Sequence, residues 1–125
     1  MKLIEAIARM EGFGADPSNL PTRHNNPGDI RAGQWANAHG AIPGAPDPLR
    51  RQPASPSQYA VFKDAAVGWD ALRALLNQHY IGMTLATAIA KYAPATENDT
   101  DRYLALVCQL TGMNPLTVLT AENIG

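Results

Sequence analysis

Proline places the strongest constraint on how this chain can fold. Eight of its ten prolines lie between Pro17 and Pro56, in a stretch that also holds four glycines. Proline has no backbone N–H to donate and disrupts helix interiors, and glycine favours turns, so long helices and central strands are excluded there. The sequence therefore predicts a short helical segment, a long loop and a helical remainder.

Apolar residues recur at helical spacing on both sides of this stretch. The first helix is expected from Lys2 to Glu11, where Gly12 would end it. A second helix should begin at residues 63–64 and continue to about Tyr80.

Two more helices are expected in the remainder of the chain. Thr84 can cap the first of them, and Pro94 would end it. Asn98 or Asp99 can cap the other, and Gly112 would end it.

A small amount of β-structure is expected near the loop. Residues 59–62 (Tyr-Ala-Val-Phe) have the composition of a short strand, which could pair with residues 29–31 in a small hairpin. With 125 residues the chain is long enough for one domain and too short for two. The predicted fold is therefore α+β and mainly α, one domain over 1–125, with a Pro/Gly-rich insertion at about 34–57.

Composition excludes several classes of function. Ten basic and eleven acidic residues leave a net charge of -1, too balanced for the basic surface that binds nucleic acid. Charges at positions 5, 9 and 11 interrupt the first apolar run, so we expect no signal peptide, and no apolar run is long enough to predict a membrane span. The histidines are scattered and Cys108 is the single cysteine, so neither a metal site nor a cofactor is expected.

Glu11 is the first candidate catalytic residue. It follows Ile7 by four positions and Ile4 by seven, so helical geometry places its carboxylate on the apolar face. Burial of a carboxylate raises its proton affinity, which suits a general acid. The alternative is that the helix frays at Gly12 and Glu11 faces solvent.

Polar groups are concentrated in residues 23–31, around the Pro27-Gly28 turn. The candidate ligand-binding side chains are Asn25, Asn26, Asp29 and Arg31. They could present hydrogen-bonding groups to a polyhydroxylated ligand, although a solvated turn has the same composition.

Trp35 could cover a sugar ring or close a minor hydrophobic cluster, whereas Trp69 and Tyr103 are expected in the core.

Several segments, in this order, resemble a lysozyme-like family found in phage virion proteins and bacterial lytic transglycosylases. They are IARMEGF at 7–13, HNNPGDIR at 24–31, YAVFKD at 59–64, GWDAL at 68–72, TL at 84–85, KYAP at 91–94, ENDT at 97–100 and Tyr103. The resemblance covers nearly the whole chain except about 34–57. The chain lacks the Glu-Ser pair and the Gly-Leu-Met-Gln motif of the best-known soluble lytic transglycosylases.

The resemblance implies roles for particular residues. In that family a glutamate that ends the first helix is the catalytic acid, and Glu11 occupies this position. The resemblance also implies that the turn at 25–28 borders a glycan groove and that Tyr92 lies near the cleft. Hydrolysis of a glycosidic bond normally requires a second carboxylate, and Asp29 is the nearest candidate by motif for that role.

The function expected from these features is cleavage of the β-1,4 bond between N-acetylmuramic acid and N-acetylglucosamine in peptidoglycan. A lytic transglycosylase is favoured over a hydrolytic lysozyme because no clear carboxylate pair is visible. The alternatives are a non-catalytic glycan-binding or structural module of a virion or secretion apparatus, and a partner-binding helical domain. A virion, a pore or a larger assembly would have to deliver the protein to the cell wall.

Overall fold

The computed structural model describes residues 1–49 and 55–125. Its helices in these ranges are α1 (Leu3–Glu11), α2 (Leu20–Arg23), α3 (Gln34–Ala38), α4 (Ala65–His79), α5 (Leu85–Tyr92), α6 (Thr100–Thr111) and α7 (Ala121–Ile124). The predictions of α1, α4, α5 and α6 are confirmed, and each observed boundary lies within about two residues of the expected one.

Side-chain caps explain where three of these helices begin. The side-chain oxygens of Asp64, Thr84 and Asp99 each accept a hydrogen bond from a backbone N–H in the first turn of α4, α5 and α6. Such bonds satisfy donors that would otherwise have no intrahelical partner. At the other end of α1, Gly12 has φ 87°, the left-handed conformation that commonly ends a helix.

Three short helices were not predicted. α2 and α7 have four residues each and α3 has five, so each is about one turn long. A single turn is too short to show an apolar period. In α2, the Asn19 side chain accepts from the Thr22 N–H and Pro21 lies in the first turn, where a proline is compatible with a helix.

The predicted β-hairpin is absent, so the α+β fold class is wrong: the described residues form helices and no strand. Residues 59–62 make only isolated bridges, one between Arg31 and Tyr59 and another between Ala41 and Phe62. The segment therefore contacts two different neighbours instead of one continuous partner strand.

The buried side chain of Asn26 explains why no hairpin ladder forms. Its amide nitrogen donates to the carbonyl oxygens of Ile30 and Ala60, and its oxygen accepts from the Ile30 N–H, each at 2.9 Å. Asp29 has φ 52°, which turns the chain away from the extended conformation of a strand. Side-chain hydrogen bonds thus replace much of the expected backbone pairing.

Helix packing fixes the position of α1. This helix packs against α4, α6 and α7, and α5 packs against α6. The α1 side chains Leu3, Ile4 and Ile7 are buried. Further fully buried apolar side chains are Phe62, Leu72, Leu76, Leu85, Ile89, Val107, Leu119 and Ile124. Burial of each large apolar side chain stabilises the fold by about 1.5–3 kcal/mol, so α1 is held firmly against its neighbours.

Gly68 allows α4 to approach the turn at residues 25–27. A Cβ atom at Gly68 would lie 1.9 Å from the backbone oxygen of Asn25 and 2.9 Å from Cδ of Pro27. Only a hydrogen fits in this space. The contact between helix and turn therefore fixes the backbone that leads to Asp29.

The described part of the predicted 34–57 insertion is tied to α2, while residues 50–54 of that insertion lie outside the described residues. Arg23 donates from Nε to Oδ1 of Asp47 at 2.7 Å and from Nη2 to Oδ2 at 2.5 Å. The buried His24 ring contacts the Ser57 hydroxyl at 2.9 Å. These bonds hold residues 47 and 57 of the insertion against the residues that lead into the turn.

Candidate active site

A cavity of about 690 Å³ lies where the end of α1 meets the turn at 28–31, α3, the end of α4 and the α5–α6 connection. We call it the Glu11 cavity. Its lining residues are Glu11, Gly28, Asp29, Ile30, Arg31, Trp35, Tyr59, Leu75, Tyr80, Tyr92, Ala93, Glu97 and Asn98. Acidic groups, aromatic rings and one guanidinium group therefore border the same space, which suits a polar ligand with ring faces.

Glu11 is partly buried in the wall of this cavity. Its Oε2 atom accepts a hydrogen bond from the Tyr103 hydroxyl at 2.8 Å. Burial raises the pKa of Glu11 above its usual value, the Tyr103 hydrogen bond partly offsets that rise, and the nearby Asp29 charge adds to it. The fraying alternative, in which Glu11 faces solvent, does not describe this side chain.

Tyr103 comes from α6 and was expected only as a core residue. Its ring is buried, as predicted, but its hydroxyl reaches the Glu11 cavity wall. Burial and the neighbouring Glu11 charge hold the pKa of Tyr103 well above its usual value. The hydroxyl therefore stays protonated at physiological pH and acts as a donor that orients the Glu11 carboxyl group.

Asp29 lines the same cavity as Glu11. Its φ of 52° is uncommon for a residue with a side chain, and such backbone strain is often found at functional sites. Among the described residues, its Oδ1 atom is buried and has no hydrogen-bond partner. Burial raises the pKa of Asp29, and the Arg31 charge partly offsets the rise. The carboxyl group of Asp29 therefore has an acceptor atom that no described protein group satisfies.

Tyr92 presents its ring, and not a free hydroxyl, to the cavity. The hydroxyl donates to the Gly28 carbonyl oxygen, and the ring centroid lies 5.9 Å from that of Tyr80. Burial is the main reason that the pKa of Tyr92 is raised well above its usual value. Tyr92 also helps to fix the turn that carries Asp29, because the bonded carbonyl belongs to the preceding residue.

Asn25 and Asn26 do not line the cavity, although the sequence made them candidate ligand-binding residues. Asn26 is fully buried and bonded to backbone groups. The Asn25 side chain donates to the Phe62 carbonyl oxygen at 2.9 Å. The Asn26 amide is occupied by the protein itself, and the Asn25 side chain bonds the Phe62 backbone outside the cavity, so both residues shape the turn that presents Asp29.

Trp35 and Arg31 reach the cavity from the loop side. The Trp35 ring stacks on His39 with centroids 3.9 Å apart, and its indole nitrogen donates to Gln78 at 3.0 Å. Arg31 forms an ion pair with Glu97, with Nη2 and Oε1 3.2 Å apart. The indole plane is thus held in a fixed orientation, as a stacking surface requires.

Four cavity residues with polar or aromatic side chains were not identified from sequence as site residues: Tyr59, Tyr80, Glu97 and Asn98. No pattern in the sequence predicts that these four side chains meet, because they become neighbours only when α4 and the α5–α6 connection pack beside the turn. The KYAP and ENDT segments, quoted for the resemblance, were the available signal for the region around Glu97.

In residues 1–49 and 55–125, no group of three or more His, Cys, Asp or Glu side chains has the arrangement of a metal site. In the same ranges, every helix is too short or too polar to cross a membrane.

No family model, no curated protein and no solved structure matches this chain.

Proposed function

We propose that this protein cleaves the β-1,4 bond between N-acetylmuramic acid and N-acetylglucosamine in peptidoglycan, as a lytic transglycosylase. One observation carries the proposal: the partly buried Glu11 carboxyl group, with a raised pKa, lies in a cavity bordered by aromatic rings. A carboxyl group with a raised pKa holds its proton to higher pH than an exposed glutamate does, and it can donate that proton to a glycosidic oxygen. Delivery to the wall by a virion, a pore or a larger assembly belongs to the same proposal.

Glu11 would perform both proton transfers. As the bond between the muramic acid C1 and the glycosidic oxygen breaks, Glu11 donates its proton to that oxygen, and positive charge develops at C1. The Glu11 carboxylate then takes the proton of the C6 hydroxyl while O6 forms a bond to C1. The product is a 1,6-anhydro ring, no water is consumed, and Glu11 ends protonated as it began. Tyr103 positions the carboxyl group in both steps.

Hydrolysis is the second candidate reaction, and Asp29 is the observation that favours it. Asp29 lines the same cavity and has an unpartnered Oδ1 atom. A second carboxylate in that place could activate a water or stabilise the charge at C1, and its separation from Glu11 would decide the stereochemistry of the product.

The products released from purified cell walls distinguish these reactions. We expect the turbidity of a wall suspension to fall and the soluble muropeptides to end in 1,6-anhydro-N-acetylmuramic acid. Mass spectrometry identifies this end because it is lighter than a reducing end by one water. Reducing ends alone would instead support hydrolysis with Asp29. If the folded protein releases no soluble product, it is a glycan-binding or structural module.

The Tyr103→Phe variant tests the raised pKa of Glu11. The Tyr103 hydroxyl lowers the pKa of Glu11 by bonding its ionised form, so removal of the hydroxyl should raise that pKa further. The acid must be protonated to act, so activity falls as pH rises through its pKa. We therefore expect the alkaline limb of the kcat/KM profile to move to higher pH. A limb that moves to lower pH, or does not move, contradicts this role for Tyr103.

A further inference from the structure

The Arg31–Glu97 ion pair joins two walls of the Glu11 cavity. Arg31 follows the turn that presents Asp29, and Glu97 belongs to the connection between α5 and α6, 66 positions later in the chain. Both side chains line the cavity, yet each is more than half exposed. The pair therefore lies at the solvent-facing side of the cavity, whereas Glu11 lies deeper.

This ion pair is poorly suited to a stabilising role. Exposed ion pairs contribute little to stability, because water screens both charges and two long side chains must be ordered. The guanidinium carbon of Arg31 also lies 5.4 Å from the centroid of the Tyr59 ring. That ring can keep the guanidinium in place when Glu97 moves away. A different carboxylate could thus replace Glu97 without disturbing Arg31.

Charge in the cavity points to the kind of group that Arg31 would receive. Among the described lining residues Arg31 is the one cation, and it is accompanied by the carboxyl groups of Glu11, Asp29 and Glu97. An anionic substituent would therefore be attracted to the Arg31 side of this cavity and not to the side that carries the carboxyl groups. A guanidinium group binds a carboxylate through two parallel hydrogen bonds, which gives both strength and orientation.

We propose that Arg31 selects glycans whose muramic acid residue carries a carboxylate, either directly or on its peptide. Glu97 forms an ion pair with Arg31 until the carboxylate of such a glycan displaces it. This inference rests on the proposed function. The carboxylate could be the free lactyl group of a glycan without peptides or a carboxylate of an attached peptide stem. Chitin oligomers have the same backbone linkage and N-acetyl groups but no carboxylate, so Arg31 has nothing to bind on them.

Binding to protein that carries Glu11→Gln tests this selection without cleavage. The probes are chitotetraose, a peptide-free tetrasaccharide of alternating N-acetylglucosamine and N-acetylmuramic acid, and the same tetrasaccharide with peptide stems. We expect Arg31→Gln to lower the ratio of anionic to neutral affinity about tenfold. Glu97→Gln should raise that ratio about threefold, because the internal competitor is neutralised. The anionic probe that responds identifies the source of the carboxylate.

Asp101→Asn is the matched control, because it removes an exposed carboxylate four positions after Glu97 that does not line the cavity. The control should leave the affinity ratio unchanged. If neither Arg31→Gln nor Glu97→Gln changes the ratio, or if no probe binds, the inference is wrong. Cleavage of cell walls by the unaltered protein is measured separately, so a failure of selection is distinguishable from a failure of the proposed function.

Discussion

Replacement of Glu11 with glutamine is expected to lower the release of muropeptides from cell walls by a factor of about 10³ or more. The amide has nearly the same size and can still accept the Tyr103 hydrogen bond, but it cannot donate a proton and recover it. The fold should therefore remain intact while the chemistry is lost. The measurement is the rate at which soluble muropeptides appear, compared at equal concentrations of folded protein.

Stability supplies an independent readout for the same variant. Burial raises the pKa of Glu11 in the folded state, so ionisation of Glu11 destabilises the fold as pH rises through the range between the unfolded and folded pKa values. Glutamine is neutral at every pH. The Glu11→Gln protein should therefore be as stable as the parent protein in acid and slightly more stable at neutral pH, as measured by denaturant unfolding.

Glu5→Gln is the matched control for this substitution. It makes the same change on an exposed position of the same helix, six residues earlier and outside the cavity. Its activity should equal that of the unaltered protein. Unaltered turnover by the folded Glu11→Gln protein would remove Glu11 from the mechanism.

The Gly68→Ala substitution is expected to destabilise the protein by at least about 3 kcal/mol. The added Cβ atom would lie 1.9 Å from the Asn25 carbonyl oxygen, which belongs to the backbone and cannot rotate away. Either α4 or the turn must move. Because that turn leads to Asp29, wall-cleaving activity should fall even in the fraction of protein that folds. Urea unfolding at equilibrium measures the stability change.

Gly14→Ala separates this steric effect from backbone strain. Gly14 has φ 83°, and nothing lies within 4 Å of a Cβ atom added there. Its substitution should destabilise by roughly 1–2 kcal/mol, the penalty of the left-handed conformation. Equal losses for the two variants would mean that the close approach at Gly68 does not limit the packing of α4.

The helices that could be predicted from sequence are those whose apolar period extends over two or more turns. α1 and α4 show both that period and a residue that marks one terminus. Gly12 marks where α1 ends, and the Asp64 cap marks where α4 begins. The hairpin prediction failed for a different reason. Residues 59–62 have strand-like composition, but the side chain of Asn26 takes hydrogen bonds that a partner strand would have made. Strand composition carries no information about which group supplies the partner.

The location of a candidate site residue could be predicted from sequence only where helical spacing alone determines which face of the helix is buried. Glu11 could be found because its position relative to Ile7 places it on a buried face. Asn26 was assigned to ligand binding because an amide in a Pro-Gly turn looks the same whether it contacts a ligand or the backbone. Tyr103 could be predicted as buried, but nothing in its own helix indicates that its hydroxyl meets a carboxylate 92 positions earlier.

Glu11 and Tyr103 are 92 positions apart in the chain, so the ribosome makes them at different times. Ribosomes make the amino-terminal end first, so Glu11 exists for most of translation without the helix that supplies Tyr103. A nascent chain that lacks α6 has neither the packing that buries the end of α1 nor the hydroxyl that orients the acid. The orientation of the acid that we propose therefore requires α6 as well as α1.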